Sequence, residues 1–335
     1  MKRTILAFAI CAWPLGAAAQ SVVADVVEGH ILPRFETLAA TSQSLADTAA
    51  QDCDPGSDAL RQAFGTAFDA WIAASHLRFG PTEVEERAFA LAFWPDSRGA
   101  TPRTLARLMA EADPVASDPD RYGEVSIAAR GFYALELLLY DDALGQGTDP
   151  AYRCTLIRTV TADIAGLSAA ILDDWQPGYA KAMENPGPDG IYRSREDALQ
   201  ELFKALTAGL QFTSDTRLGR PLGTFDKPRP NRAEARRSGR SAAHVRISLT
   251  SLHDLAVRLA AGDSALVAEF EEEFDEALAQ LDALNDPVFA GVAEPGARLR
   301  IEVLAQAIDA IRNTAAEYLG PRLSVAAGFN ALDGD

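Results

Sequence analysis

The residues most able to do chemistry lie in one apolar stretch, Val125 to Leu139, which reads VSIAARGFYALELLL. At 100° per residue around Phe132, the side chains of Val125, Ala128, Leu135 and Leu139 fall within about 60° of it and define a core face. Glu136 falls about 40° from Phe132, inside the same arc. A carboxylate placed there has to be paired, hydrogen-bonded, metal-bound or protonated, because burying it alone is costly. Tyr133 lies one turn before Glu136 and Tyr140 one turn after it, so three oxygens can line one ridge. Such carboxylate and phenolate oxygens suit a hard cation such as ferric iron. The simpler outcome is a Glu136 satisfied by an arginine from another helix, Arg78 or Arg130. Gly131 is unusual inside a helix, where it costs about 1 kcal/mol relative to alanine, and it points to close backbone approach or ligand access.

Histidine chemistry is sparse. The four histidines are His30, His76, His244 and His253, and no H-E-x-x-H pair of the kind zinc peptidases present occurs. His244 and His253 are nine residues apart, on opposite sides of one helix. Ser238-Gly239-Arg240-Ser241 is not a nucleophile elbow, and its serines read as caps for the helix that follows. Arg217 to Arg240 is rich in arginine, with Asp226 and Glu234 as its only acids, in a chain whose net charge is −17. It reads either as a loop paired with the acidic body or as an anion-binding clamp, since arginine forks grip carboxylates and phosphates.

The elements that must position these residues are helices. Apolar residues recur at three- and four-residue spacing over 22–50, 60–79, 101–111, 122–140, 152–175, 195–212, 241–261, 264–284 and 298–319. No run of alternating β-branched residues competes with them, so the spacing predicts an all-α fold of helical bundles. Pro, Gly, Asn and Asp clusters separate the segments, and the richest, Glu184 to Gly190, falls near the middle. Two helical-bundle domains are therefore expected, over 21–185 and 190–335.

Met1-Lys2-Arg3, an apolar run from Ile5 to Leu15 and the small residues before Gln20 form the pattern of a secretory signal peptide over 1–20. The expectation is an exported, soluble or at most loosely attached protein. Removing that segment leaves Cys53 and Cys154, which in an oxidising compartment form a disulfide or remain two separate buried thiols. The acidic balance makes nucleic acid and anionic membranes poor partners.

Gly131-Phe132-Tyr133-Ala134-Leu135-Glu136 resembles the G-x-H-x-x-E motif of the imelysin-like proteins, with Tyr133 where that family usually has histidine. Ala70-Trp71, Leu77-Arg78-Phe79-Gly80-Pro81, Phe93-Trp94-Pro95-Asp96 and Ser238-Gly239-Arg240-Ser241 extend the resemblance along nearly the whole chain. The resemblance implies two helical domains, a periplasmic or outer-membrane-associated address, and a link to iron uptake with a periplasmic or outer-membrane partner. It also carries a peptidase label. Gly131 and Glu136 carry over directly; the histidine does not. His76, beside the family-like Arg78 segment, is the histidine expected to approach Glu136. The leading expectation is a binding module for iron or a small anionic iron chelate, with Glu136, Tyr133 and His76 as metal ligands and Gly131, Arg78 and Arg240 completing the pocket. A metallopeptidase of the imelysin type and a non-catalytic interaction scaffold are the alternatives.

Overall fold

The computed structural model describes residues 22–325, so the expected signal peptide lies outside the described residues. Among the described residues, nine helices of ten residues or more make up the fold. They are α1 (Leu32–Gln51), α2 (Asp58–Ala74), α3 (Ala100–Glu111), α4 (Gly131–Tyr140), α5 (Pro150–Asp174), α6 (Arg195–Gln211), α7 (Ser241–Leu259), α8 (Ser264–Leu284) and α9 (Pro295–Thr314). Among the described residues no strand forms; an isolated bridge joins Thr224 and Lys227. The all-α expectation holds.

Local chemistry sets where these helices start. The Leu60 amide donates to Ser57 Oγ at the head of α2, and Asp149 and Asp263 cap α5 and α8 in the same way. Ser194 and Asp197 form a reciprocal capping box on α6. Asp96 reaches back to accept from the amides of Ala100 and Thr101, at 2.9 and 2.7 Å, and so anchors the start of α3.

In the first half, α1 packs between α2 and α5, and α4 lies on α5. In the second, α8 packs on α7 and α9, with α6 against both of those helices. The two sets meet where α7 crosses α2, and one continuous cluster of buried apolar side chains runs through both. Helix α5 is apolar enough by composition to cross a membrane, with mean hydropathy 1.4 over its best window. Half of that window is buried inside the fold, as a core helix requires. Cys53 and Cys154 are joined by a disulfide that ties the chain just beyond α1 to the first turn of α5.

One expected helix is shorter than its periodicity suggests. The segment 122–140 breaks at a 3-10 turn, Ile127–Ala129, and an extended Arg130, and α4 begins at Gly131. Gly131 has φ +73°, and a Cβ there would sit 2.2 Å from the Leu91 carbonyl oxygen and 2.3 Å from that of Ala90. The glycine is therefore the entrance to the helix rather than part of its interior, and it is needed for both its backbone angle and its lack of a side chain. From Gly131 to Leu139 every residue is buried, so Tyr133 and Glu136 enter the core together.

Candidate functional site

Glu136 is 4% exposed, and among the described residues no arginine pairs with it directly. Its Oε1 accepts from the backbone amide of Ser238 at 2.9 Å and from the Ser238 hydroxyl at 2.8 Å. The two arginines expected as alternative partners are engaged elsewhere: Arg130 with Asp163, and Arg78 with Glu83. Among the described residues, no partner within hydrogen-bond distance claims Oε2. Glu136 instead lines a cavity of about 210 Å³ between the Phe93–Thr101 segment, α4 and the arginine-rich loop. Trp94, Asp96, Tyr133, Arg220, Arg232 and Arg236 are among its walls.

Tyr133 reaches the same cavity, stacked on the Trp94 ring, but its hydroxyl donates to Glu234. Burial and then the adjacent Glu234 charge push its pKa well above the usual value, so it remains a protonated donor. Glu234, 2% exposed, also accepts from Arg217 Nε at 2.8 Å. Burial by itself would raise the Glu234 pKa, but Arg217, His244 and the Tyr133 hydroxyl outweigh it and hold the carboxyl at about 2. Arg217 is itself 3% exposed and extends this network to Ser248 and Ser75. His244 Nδ1 stands 3.4 Å from Glu234, and the ring packs edge-on to Phe68.

The remaining sequence candidates lie apart from the cavity. Arg240 pairs through two nitrogens with Asp69, lying over Gly65 of α2. Arg78 stacks on the half-exposed Phe89 ring beside Glu83. Tyr140 packs on Phe64 with Arg61 over its ring. Neither expected serine caps α7: Ser238 serves Glu136, and the Ser241 hydroxyl donates to the Glu234 carbonyl.

His76 belongs to a second buried cluster. Its Nε2 lies 2.8 Å from Nε2 of His30, whose Nδ1 lies 2.7 Å from Asp254. Because the Asp254 carboxylate accepts, His30 carries its proton on Nδ1 and offers a bare Nε2, which takes the Nε2 proton of His76. Arg34 and Arg258 complete the set by pairing with Asp254. Burial lowers the His30 pKa to about 4 despite the Asp254 hydrogen bond, and burial and then the neighbouring His30 lower that of His76 well below its ordinary value.

Because the folded pKa is depressed, the unfolded chain takes these protons first. The contribution is fully present above the unfolded value of 6.5 and is lost as pH falls from there toward 4. For His30, acidification from pH 7 to 5 should lower the unfolding free energy by about 2 kcal/mol. Urea titrations at the two pH values measure the drop, and His30→Asn should flatten it; an unchanged slope would refute the assignment.

Sequence reasoning missed Glu234, Ser238 as a Glu136 donor, and the cavity arginines. The signal for them was the concentration of arginine in an otherwise acidic chain. Among the described residues, no three His, Cys, Asp or Glu side chains converge as a ready-made metal site.

The sequence profile of the family described as imelysin, a peptidase family by its label, matches residues 31–315. Iron-regulated protein A of Synechococcus elongatus is 23% identical over 336 aligned residues, covering 92% of this chain and 87% of that protein. An imelysin-like protein from Psychrobacter arcticum shares the fold, with a TM-score of 0.79 at 20% identity over 97% of this chain and all of the other. A putative iron-regulated protein A precursor from Parabacteroides distasonis superposes with a TM-score of 0.76 at 14% identity, over 94% of this chain and 96% of that one.

Proposed function

The chain belongs to the imelysin family, and from that premise we propose that it is a periplasmic binding module that holds iron as a small anionic chelate in the Glu136 cavity and passes it to an uptake partner. The observation that carries this reading is Glu136: a carboxylate 4% exposed, satisfied at one oxygen by Ser238, with its other oxygen uncommitted at a cavity wall. Iron-regulated names among the relatives support the cargo, and the leader-like pattern over 1–20 supports export.

The donor set suits a complexed ion better than a bare one. A naked ferric ion needs several oxygen ligands, while Glu136 supplies one, and Tyr133 would have to lose a proton that burial and Glu234 hold in place. A chelate brings its own ligands and leaves one position for a protein carboxylate. The arginines across the cavity offset its negative charge. Ser238 fixes the Glu136 side chain, so little freedom remains to be lost when a ligand arrives.

Isothermal titration with ferric citrate tests the reading. Glu136→Gln keeps an acceptor for Ser238 and removes the charge, and it should weaken binding about tenfold or more, the cost of losing one charge-assisted contact. Equal affinity in wild type and variant would overturn the proposal.

A further inference from the structure

We infer that Arg220, Arg232 and Arg236 form a subsite for a multiply charged oxyanion, a polycarboxylate or phosphate, which the cavity binds whether or not a metal comes with it. The inference rests on the reading that this cavity is the binding site, and it names the part of a ligand that the arginines would recognise.

Arginines in this protein are commonly matched to acids: Arg34 with Asp254, Arg87 with Asp174, Arg130 with Asp163, Arg217 with Glu234 and Arg240 with Asp69. Among the described residues, Arg220, Arg232 and Arg236 have no carboxylate within ion-pair distance, although acids outnumber bases in the chain, 48 to 31. All three line the same cavity.

The two acids on that wall are already engaged. Asp96 is held by the amides at the start of α3, and one oxygen of Glu136 is held by Ser238. Arg236 Nε donates to the Asn231 carbonyl, which aims the guanidinium without neutralising it. Arg220 lies over the Trp94 ring at 5.6 Å, and its Nε is buried without a hydrogen-bond partner.

The cluster is also self-repulsive. Burial and then the charge of Arg232 lower the Arg220 pKa; burial and then Arg237 lower that of Arg236. Cations gathered against their mutual repulsion, with donors left over, make a site complementary to an anion bearing several oxygens. The acidic body would otherwise repel such a ligand, so the local positive field must overcome the global one. A cavity of about 210 Å³ has room for a small anion.

The test is isothermal titration of the purified full chain in metal-free buffer at fixed ionic strength, with citrate, inorganic phosphate and acetate as separate probes. Citrate or phosphate should bind at one site at least tenfold more tightly than singly charged acetate, and the stronger of the two identifies the anion class. Arg232→Ala/Arg236→Ala should weaken that binding about a hundredfold, at roughly tenfold per arginine. Arg300→Ala, on the exposed side of α9, should leave it unchanged. Should the double variant unfold, Arg236→Gln alone should still cost about tenfold. Glu136→Gln should leave metal-free anion binding intact or tighten it, because it removes a like charge from the cavity.

Failure of citrate and phosphate to bind, equal binding of acetate, or indifference to the arginine substitutions would overturn the subsite. If ferric citrate bound through Glu136 while metal-free anions did not bind, the subsite would fail and the iron reading would stand. If ferric and metal-free citrate bound equally and Glu136→Gln was silent with both, the iron reading would fail and the subsite would stand.

Discussion

Glu234→Ala should destabilise the protein by about 3–5 kcal/mol, the cost of breaking a buried ion pair and leaving one charge uncompensated. Arg217 would remain 3% exposed with its main counterion gone, and the Tyr133 hydroxyl would lose its acceptor. Urea unfolding followed by far-UV circular dichroism measures the loss; a value under about 1 kcal/mol would show that the network is dispensable. The same pair links stability to acid. The Glu234 carboxyl is held at about 2, below the ordinary 4.5, so its stabilisation is present above pH 4.5 and is lost as pH falls toward 2. Removing both charges with apolar side chains of similar volume should cost less than removing the acid alone, because no orphaned charge is left. The result bears on function because Tyr133 stands between this network and the cavity, and a loosened Glu234 frees its hydroxyl.

Cys53→Ser/Cys154→Ser should lower stability by about 4–5 kcal/mol, from the chain entropy restored to the unfolded state. The bridge joins residues 101 apart in sequence, so it constrains a long loop that includes α2, α3 and α4. It also ties the end of α1 to the start of α5; the two helices pack along each other, and α5 supports α4, which carries Glu136. Guanidinium unfolding of the oxidised protein and the variant should show well-separated midpoints. Coincident midpoints would mean that helix packing alone holds the two ends together. Adding a reductant to the wild type should reproduce the variant, which separates loss of the bridge from any effect of the serines.

The sequence was most informative where a feature depends on near neighbours. The apolar spacing around Phe132 placed Glu136 within a core face, and it is buried as that spacing requires. Cys53 and Cys154, which the sequence offered as a disulfide or two separate thiols, are joined. Other readings failed at long range or at a special backbone angle. Gly131 read as interior because the apolar periodicity runs through it, but it is the entrance to α4 at a positive φ; the close backbone approach that the glycine pointed to is there, against the Ala90 and Leu91 carbonyls. His76 stands beside the Arg78 segment in sequence, yet its ring turns to His30, 46 residues away, and through it to Asp254 on α7.

The arginine-rich loop shows the division most clearly. Its charge excess over an acidic body is legible in a single line of sequence, and so is the choice between pairing with that body and gripping an anion. In the structure Arg217, Arg237 and Arg240 take internal acids, while Arg220, Arg232 and Arg236 line the cavity. Sequence by itself determined the helical class and the burial of Glu136, because each follows from interactions within a turn or two of helix. Tertiary structure alone decided which arginine meets which carboxylate. Those partners lie up to 233 residues apart, as Arg258 and Asp25 do, and many pairings of equal intrinsic strength compete until packing selects one.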